Sequence, residues 1–212
     1  MSTAPSPAGA APRTGAADRI VIAARALFAE RGYEGVSIRD VADRARVSKA
    51  NVFHHFSNKM GLYRAVLNDS SSMFDELVDV LDQCQQPPRE RLAVFIRENL
   101  SAMLNDPHSV NLFMRQMMSA PDNAQRTLAE DNVVNGFQKL ISRLENLQSE
   151  HRLVDDVDPA VLAMSIVGAN FIFFRLRGVI DRISDRFGPH DAEDFSTALL
   201  SLLDPDTRKP RP

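Results

Sequence analysis

Between Ser37 and Lys59 the chain reads SIRDVADRARVSKANVFHHFSNK, and this stretch restarts its helices at very short intervals. Ser37 and Asp40 fit the S-x-x-D box, in which the serine side chain takes up the first free amides and the acid reaches back. Ile38, Val41, Ala42 and Ala45 then fall on one face at helical spacing. Ser48 opens a second segment, so only Arg46 and Val47 remain for the turn between the two. Ala50, Val52, Phe53 and Phe56 are the apolar positions of that second segment. Ser57 is expected to cap a third helix beginning near Asn58.

Two short helices, a tight turn and polar residues opening the second form the helix-turn-helix pattern. The wider run from Ile20 to Leu67, carried by AARALFAERGYEGVSIRDVADRARVSKANVFHHFSNKMGLYRAVL, resembles the DNA-binding domain of TetR-type transcriptional regulators. The resemblance implies an all-helical, dimeric protein, and most members of that family are repressors released by a small ligand. It also places Ser37, His54 and Lys59 at positions that touch the DNA backbone, and Lys49 and Asn51 at the start of the helix that enters the major groove. Asparagine can pair bidentately with adenine, and lysine can reach guanine N7 and O6. His55 is expected on either backbone or base edge. The amides opening the segments at Ser37, Ser48 and Asn58 suit phosphate. Arg46 and Phe53 complete the expected DNA-facing set, and both depart from the family. Arg46 stands where a turn glycine is usual, which asks for a left-handed arginine or a different turn. Phe53 stands where a tyrosine is common, so a hydroxyl that often reaches phosphate is missing. Met60 replaces the glutamate that often completes a capping box on the third helix.

Charge supports a DNA-facing front. From Arg13 to Arg64 there are ten Lys+Arg against five Asp+Glu, a net of +5, whereas residues 65–212 carry 15 against 23, a net of −8. Only the front is suited to approach a polyanion. The overall net charge of −3 conceals this division.

The rest of the chain reads as helix throughout, with no strand alternation and no internal repeat. Residues 1–15, rich in Ala, Pro, Ser and Gly, are expected to be a disordered tail, either merely solvated or an arm that brings Arg13 to DNA. A first helix spans about 17–31, with Gly32 as its terminator. A long helix is expected over about 58–85, with Ser70, Ser71 and Ser72 as a place where it can bend. Further helices are expected over about 89–104 and 108–119, from Pro121 to before Val154, over 159–184 and over 191–203, and residues 205–212 form a tail. The expected architecture is therefore all-α with about nine helices. A three-helix helix-turn-helix domain occupies 16–64, and a helical ligand-binding and dimerisation domain occupies 65–204.

Phe74, Phe95, Met103, Phe113, Met117, Phe137, Phe171 and Phe174 are the candidates for an apolar ligand pocket, with ordinary core packing as the competing explanation for each. Among the few charges within greasy helices, Arg177 is expected to pair with Asp181 one turn later, with a ligand carboxylate or phosphate as the alternative partner.

Other chemistry is poorly represented. Adjacent His54 and His55 point to different sides of a helix, and no Cys/His spacing suggests a metal site. No nucleophile motif, phosphate loop or carboxylate pair argues for an enzyme, and no cofactor is implied. Cys84 is the only cysteine, which excludes an intramolecular disulfide and suits a reducing cytoplasm. The stretch Val161–Phe174 is too short for a bilayer span, so no membrane is expected.

The expected function is a dimeric repressor on double-stranded, palindromic operator DNA, released by a small apolar effector. The rival is a DNA-binding regulator whose rear half binds a protein partner and no small molecule. The resemblance assigns dimerisation to the helices at 159–184 and 191–203.

Overall fold

The computed structural model describes residues 15–83, 86–118, 124–149, 157–182, 189 and 191–203. The expectations for the tail carrying Arg13, for Cys84, for Pro121 and for residues 205–212 lie outside them.

Among the described residues all regular structure is helical: α1 (Ala16–Arg31), α2 (Ile38–Ala45), α3 (Lys49–Phe56), α4 (Lys59–Gln83), α5 (Pro88–Asn105), α6 (Pro107–Met117), α7 (Ala124–Ser149), α8 (Pro159–Ile180) and α9 (Ala192–Leu203). The short helices α2 and α3 would be marginal alone; their stability comes from a shared core. Ile20, Ala24, Leu27 and Phe28 of α1 pack with Val41, Ala42 and Ala45 of α2, Val52 of α3, and Leu62, Tyr63 and Val66 of α4. Phe28, Tyr33 and Tyr63 add a ring cluster with centroids 5.0 to 5.8 Å apart. Burial pushes the Tyr63 phenol well above its usual range, and among the described residues its hydroxyl has no hydrogen-bond partner.

This head core does not stop at Arg64. It continues to Leu67 of α4 and takes in Leu112 of α6 and Ala129 of α7. Behind it, α4, α5, α7, α8 and α9 enclose a second core around Leu81, Leu92, Phe95, Ile96, Leu140, Leu144 and Ile166, and Leu100, Phe173 and Ile180 centre a third. The long helix α4 therefore runs from the head into the rear bundle. The serines at its middle do not bend it into two helices: Ser70, Ser71 and Ser72 return their hydroxyls to the carbonyls of Val66, Leu67 and Asn68 inside a continuous helix.

Helix α8 has 22 residues and a mean hydropathy of 1.7 in its most apolar window, enough by length and composition to cross a membrane. It exceeds the stretch that sequence reading judged too short because Asp158 caps it with Pro159 at its first position and it runs on through Phe174 to Ile180. It lies in the bundle, burying Leu162, Ala163, Ile166, Asn170 and Phe173. The expected Arg177–Asp181 pair is not formed; both side chains are exposed, and Asp181 is already the residue that ends the helix.

One buried charge cluster ties head to bundle. Arg25 of α1 donates through its two terminal nitrogens to Asp69 of α4 and to Asp106. Asp106 also ends α5 and caps α6: its carboxylate takes the backbone N–H of Ser109 at 3.3 Å and the Ser109 hydroxyl at 2.7 Å. Burial alone would raise the Asp106 carboxyl, but the Ser109 hydrogen bonds and the Arg25 guanidinium outweigh it and hold it below the usual carboxylate range. Its folded pKa is depressed, so this contribution to stability is full above the unfolded value of about 4 and fades as pH falls through the lower folded value. Arg25→Ala, which strands two acids beside each other, should cost about 3 kcal/mol at neutral pH in urea melts. The difference from wild type should shrink below about pH 4. A pH-independent difference would show that the charge link contributes nothing.

Candidate functional site

At the front, both reading-head helices begin as their sequences dictate. Ser37 accepts the Asp40 amide at 3.2 Å while Asp40 takes the Ser37 amide at 2.8 Å, the complete reciprocal box. The side-chain hydrogen bond from Ser37 lowers the Asp40 carboxyl. Ser48 accepts the Asn51 amide at 3.1 Å and caps α3. Arg46 takes the left-handed conformation, φ 56° and ψ 48°, so it replaces the turn glycine without changing the turn. That conformation costs a non-glycine residue about 1 kcal/mol.

The third cap differs from expectation. Asn58, not Ser57, accepts the Gly61 amide, at 2.8 Å, and Ser57 is the positive-φ residue that ends α3. Ser57 cannot cap α4 because it still belongs to the close of α3, its amide donating to Phe53. Gly61 is required by this tight junction: a Cβ there would stand 2.4 Å from the Phe56 carbonyl oxygen.

The predicted DNA-facing residues lie together on this head. Ser37, Arg46, Ser48, Lys49, Phe53, His54 and His55 are exposed, and Asn51 and Lys59 are half-buried. The Lys49 ammonium lies 5.6 Å from the Phe53 ring centroid, and Lys59 lies 4.2 Å from that of Tyr33. The His54 and His55 rings meet edge to face at 5.2 Å. Asn51 turns its Oδ1 inward, buried and without a partner, so bidentate pairing with a base requires its side chain to rotate out. Arg25, counted with the basic front from the sequence, is not available to DNA because it is buried against two acids. The exposed pairs Arg39–Asp43 (3.8 Å) and Arg44–Glu30 (3.3 Å) are weak surface contacts that a phosphate can replace. Among the described residues no group of three His, Cys, Asp or Glu is placed to hold a metal ion.

The second feature is a cavity of about 450 Å³ between α4, α5, α6, α7 and α8. Phe74, Met103, Phe113, Phe137 and Phe171 line it. Phe95, Met117 and Phe174 do not. Phe95 is fully buried in the second core, behind Phe74 with ring centroids 6.3 Å apart. Met117 packs against the head core and Phe174 against the third core. Helical periodicity identifies a buried face but not which buried residue borders a void. Sequence reading missed Met73, Leu77, Met114, Val133, Met164 and Val167 in the lining, and the polar Asn99 and Asn132. A usable signal was Gly136 inside α7: a Cβ there would meet the Phe74 ring at 3.1 Å, so the glycine makes room for that ring at the cavity wall.

The cavity and the head core share walls. Leu67, Leu112 and Ala129 belong to both, and Asp106 lines the cavity while holding Arg25 of α1. Arg115 of α6 lies over the end of α1, where a Cβ on Gly32 (φ 75°) would stand 2.8 Å from its Nε.

A helix-turn-helix head built onto a helical bundle is the arrangement of a DNA-binding regulator. Residues 20–66 match the family described as bacterial regulatory proteins, tetR family. The chain is 29% identical over 165 residues to the transcriptional activator FasR of Mycolicibacterium smegmatis, covering 76% of this chain and 73% of that one. It is 26% identical over 163 residues to the transcriptional repressor AcnR of Corynebacterium glutamicum, covering 74% and 85%. The fold is shared with AibR, whose structure is a complex with isovaleryl coenzyme A and operator DNA: TM-score 0.67, 23% identity, 90% of this chain and 99% of that one. These similarities support a TetR-type transcriptional regulator.

Lys59→Ala removes both a candidate phosphate contact and the Tyr33 contact, and the two are separable. If Lys59 neutralises a phosphate, the slope of log affinity against log salt should flatten by about one per monomer in fluorescence titrations. A weaker complex with an unchanged slope would assign Lys59 to holding the fold. Replacing Asn51 should alter which sequences are preferred rather than the slope.

Proposed function

We propose that this regulator is a cytoplasmic homodimeric repressor that grips a palindromic operator through α3 of each subunit and lets go when a small apolar molecule fills the cavity. Lys49 and Asn51 then read base edges, while Ser37, His54 and Lys59 position the head on phosphate. His55, Arg46, Ser48 and Phe53 border the same surface. The observation that carries the reading is the wall shared by cavity and head core at Leu67, Leu112 and Ala129. Packed interiors are dense, so side chains displaced by a ligand must move their neighbours. Here the neighbours belong to the head. The AibR complex, which holds isovaleryl coenzyme A and operator DNA, supports a ligand-responsive design in a protein of this fold.

Two heads must sit about 34–36 Å apart to enter successive major grooves. The surface that supports pairing is on α8 and α9. Val161, Met164, Ile172, Leu176 and Val179 recur along one stripe of α8 and are exposed, Met164 by 66%, and Leu202 of α9 is 74% exposed. Gly168 lies on that stripe with nothing near its missing Cβ. So continuous an apolar surface calls for cover, and a two-fold copy supplies it. Leu199, by contrast, packs against the second core, so a charge there tests folding rather than pairing. Ile172→Glu with Leu176→Glu should convert a dimer to a folded monomer in light scattering and weaken operator binding. A dimer that survives both substitutions would remove α8 from the interface.

Filling the cavity permanently tests the switch. Ala102 lines it, and Ala102→Phe should lower affinity for an operator selected from random duplexes by fivefold or more without any small molecule, in line with a coupling of about 1–3 kcal/mol. By reciprocity, a molecule that releases wild type must itself bind more weakly, by the same factor, when operator is present. Unaltered operator affinity in the variant, together with equal ligand affinities with and without DNA in calorimetry, would exclude the cavity as the switch.

A further inference from the structure

The chemistry of the cavity wall restricts its occupant further, on the reading that this cavity is the effector site. The polar groups in the wall are few, and most are already engaged. Ser71 gives its hydroxyl to the Leu67 carbonyl at 3.0 Å. Ser109 gives its own to Asp106, and Ser70 lies between the Val66 carbonyl and Ser109, 3.2 and 3.1 Å away. Asn99 is different. It is only 3% exposed, and it lines the cavity.

Its orientation is fixed from behind. The buried Asn170 of α8 donates through Nδ2 to the Ile96 carbonyl at 3.0 Å and to Asn99 Oδ1 at 2.9 Å. A backbone carbonyl accepts only, so the first bond identifies the Asn170 amide nitrogen, and the second identifies the Asn99 oxygen. The Asn99 Nδ2 is therefore the end left over, on a residue that lines the cavity, and among the described residues no hydrogen bond uses it. A buried donor in an apolar wall is costly until something accepts from it.

The charges of the wall act in the same direction. Asp75 and Asp106 line the cavity, and among the described residues no Lys, Arg or His does. A carboxylate entering here would find amides but no lining cation, and would face Asp75 beside an Asp106 already held by Arg25 and Ser109; burying an unpaired charge is far more costly than burying a carbonyl. A neutral carbonyl offers the Asn99 amide its acceptor without that cost.

We infer that the effector is an apolar chain or ring ending in an uncharged carbonyl, such as an ester, thioester or ketone, with Asn99 Nδ2 donating to that carbonyl and free fatty acids excluded. An acyl ester and an acyl thioester present the same carbonyl and differ in what lies beyond it.

Calorimetric titration of the full-length dimer with methyl decanoate, decanoyl-coenzyme A and decanoic acid, at neutral pH where the acid is ionised, tests this. The ester should bind at least about tenfold more tightly than the acid, and Asn99→Leu, similar in volume but without a donor, should erase most of that preference. Tighter binding of the thioester than of the ester would identify a coenzyme-bearing source. The reverse order would identify a free neutral lipid. Should Asn99→Leu fail to fold, Asn99→Asp keeps the shape, removes the donor and should weaken ester binding further. Decanoic acid binding wild type as tightly as its ester would overturn the neutral-carbonyl inference while leaving the cavity as an apolar effector site. Failure of all three probes to bind, with Ala102→Phe leaving operator affinity unchanged, would overturn the effector site itself.

Discussion

The buried Arg25 is the point through which head and bundle constrain each other. It rises from α1, the helix that braces α2 and α3, and divides its guanidinium between α4 and the corner joining α5 to α6. Removing a guanidinium from water is costly, and that cost is offset only while both acids are in place. Geometry is therefore specified at three helices at once. A bundle that opened by moving the α5–α6 corner would take Asp106 away from Arg25, or pull α1 along with it. The Asp106 carboxylate also caps α6 through Ser109, so the corner cannot shift without loosening the helix that lies on the end of α1 through Arg115 and Gly32.

The reading head was largely legible because its signals are local. Ser37 and Asp40, or Ser48 and its apolar followers, declare a helix start within four residues, and the structure forms both caps. The one misplaced cap, Ser57 for Asn58, lies where two helices meet almost without a linker. There the same short polar residues suit either the end of one helix or the start of the next, and the close approach at Gly61 decides between them. Helix existence in the rear half was legible for a similar reason, since Pro87, Pro107 and Pro159 punctuate it. The cavity was only partly legible. Phe95 and Phe74 have the same helical phase logic and differ only in which side of a packed layer they occupy, a matter of tertiary geometry.

Buried charge was the least legible feature. Arg25 looks like one more base in a basic front, and its partners are 44 and 81 residues away in sequence. Asn170 and Asn99 interrupt apolar helices in the sequence without any sign that they would meet. Their pairing requires α8 to lie across α5 at one register, which side-chain chemistry alone does not encode. Both cases involve a polar group that is stable in the interior only because a distant segment supplies its partner.

The small separation between cavity and head has a mechanical consequence. A coupling route through many packed layers would let each layer absorb part of a displacement. Here Leu67 touches the cavity on one side and the head core on the other, and Asp106 does the same through Arg25. A side chain of α4 or α6 moved by an occupant is therefore moved within the head as well. The exposed stripe of α8 includes Met164 and Gly168, which also line the cavity, so an occupant on that side would press on the surface where a second subunit is proposed to sit. In the proposed dimer, head angle and subunit spacing would both respond to one filled volume, and DNA held by two heads at a fixed separation would be sensitive to both. On that proposal a modest preference of the occupant for a spread arrangement suffices, because two subunits would shift together and each would contribute its own displacement to the distance between the heads.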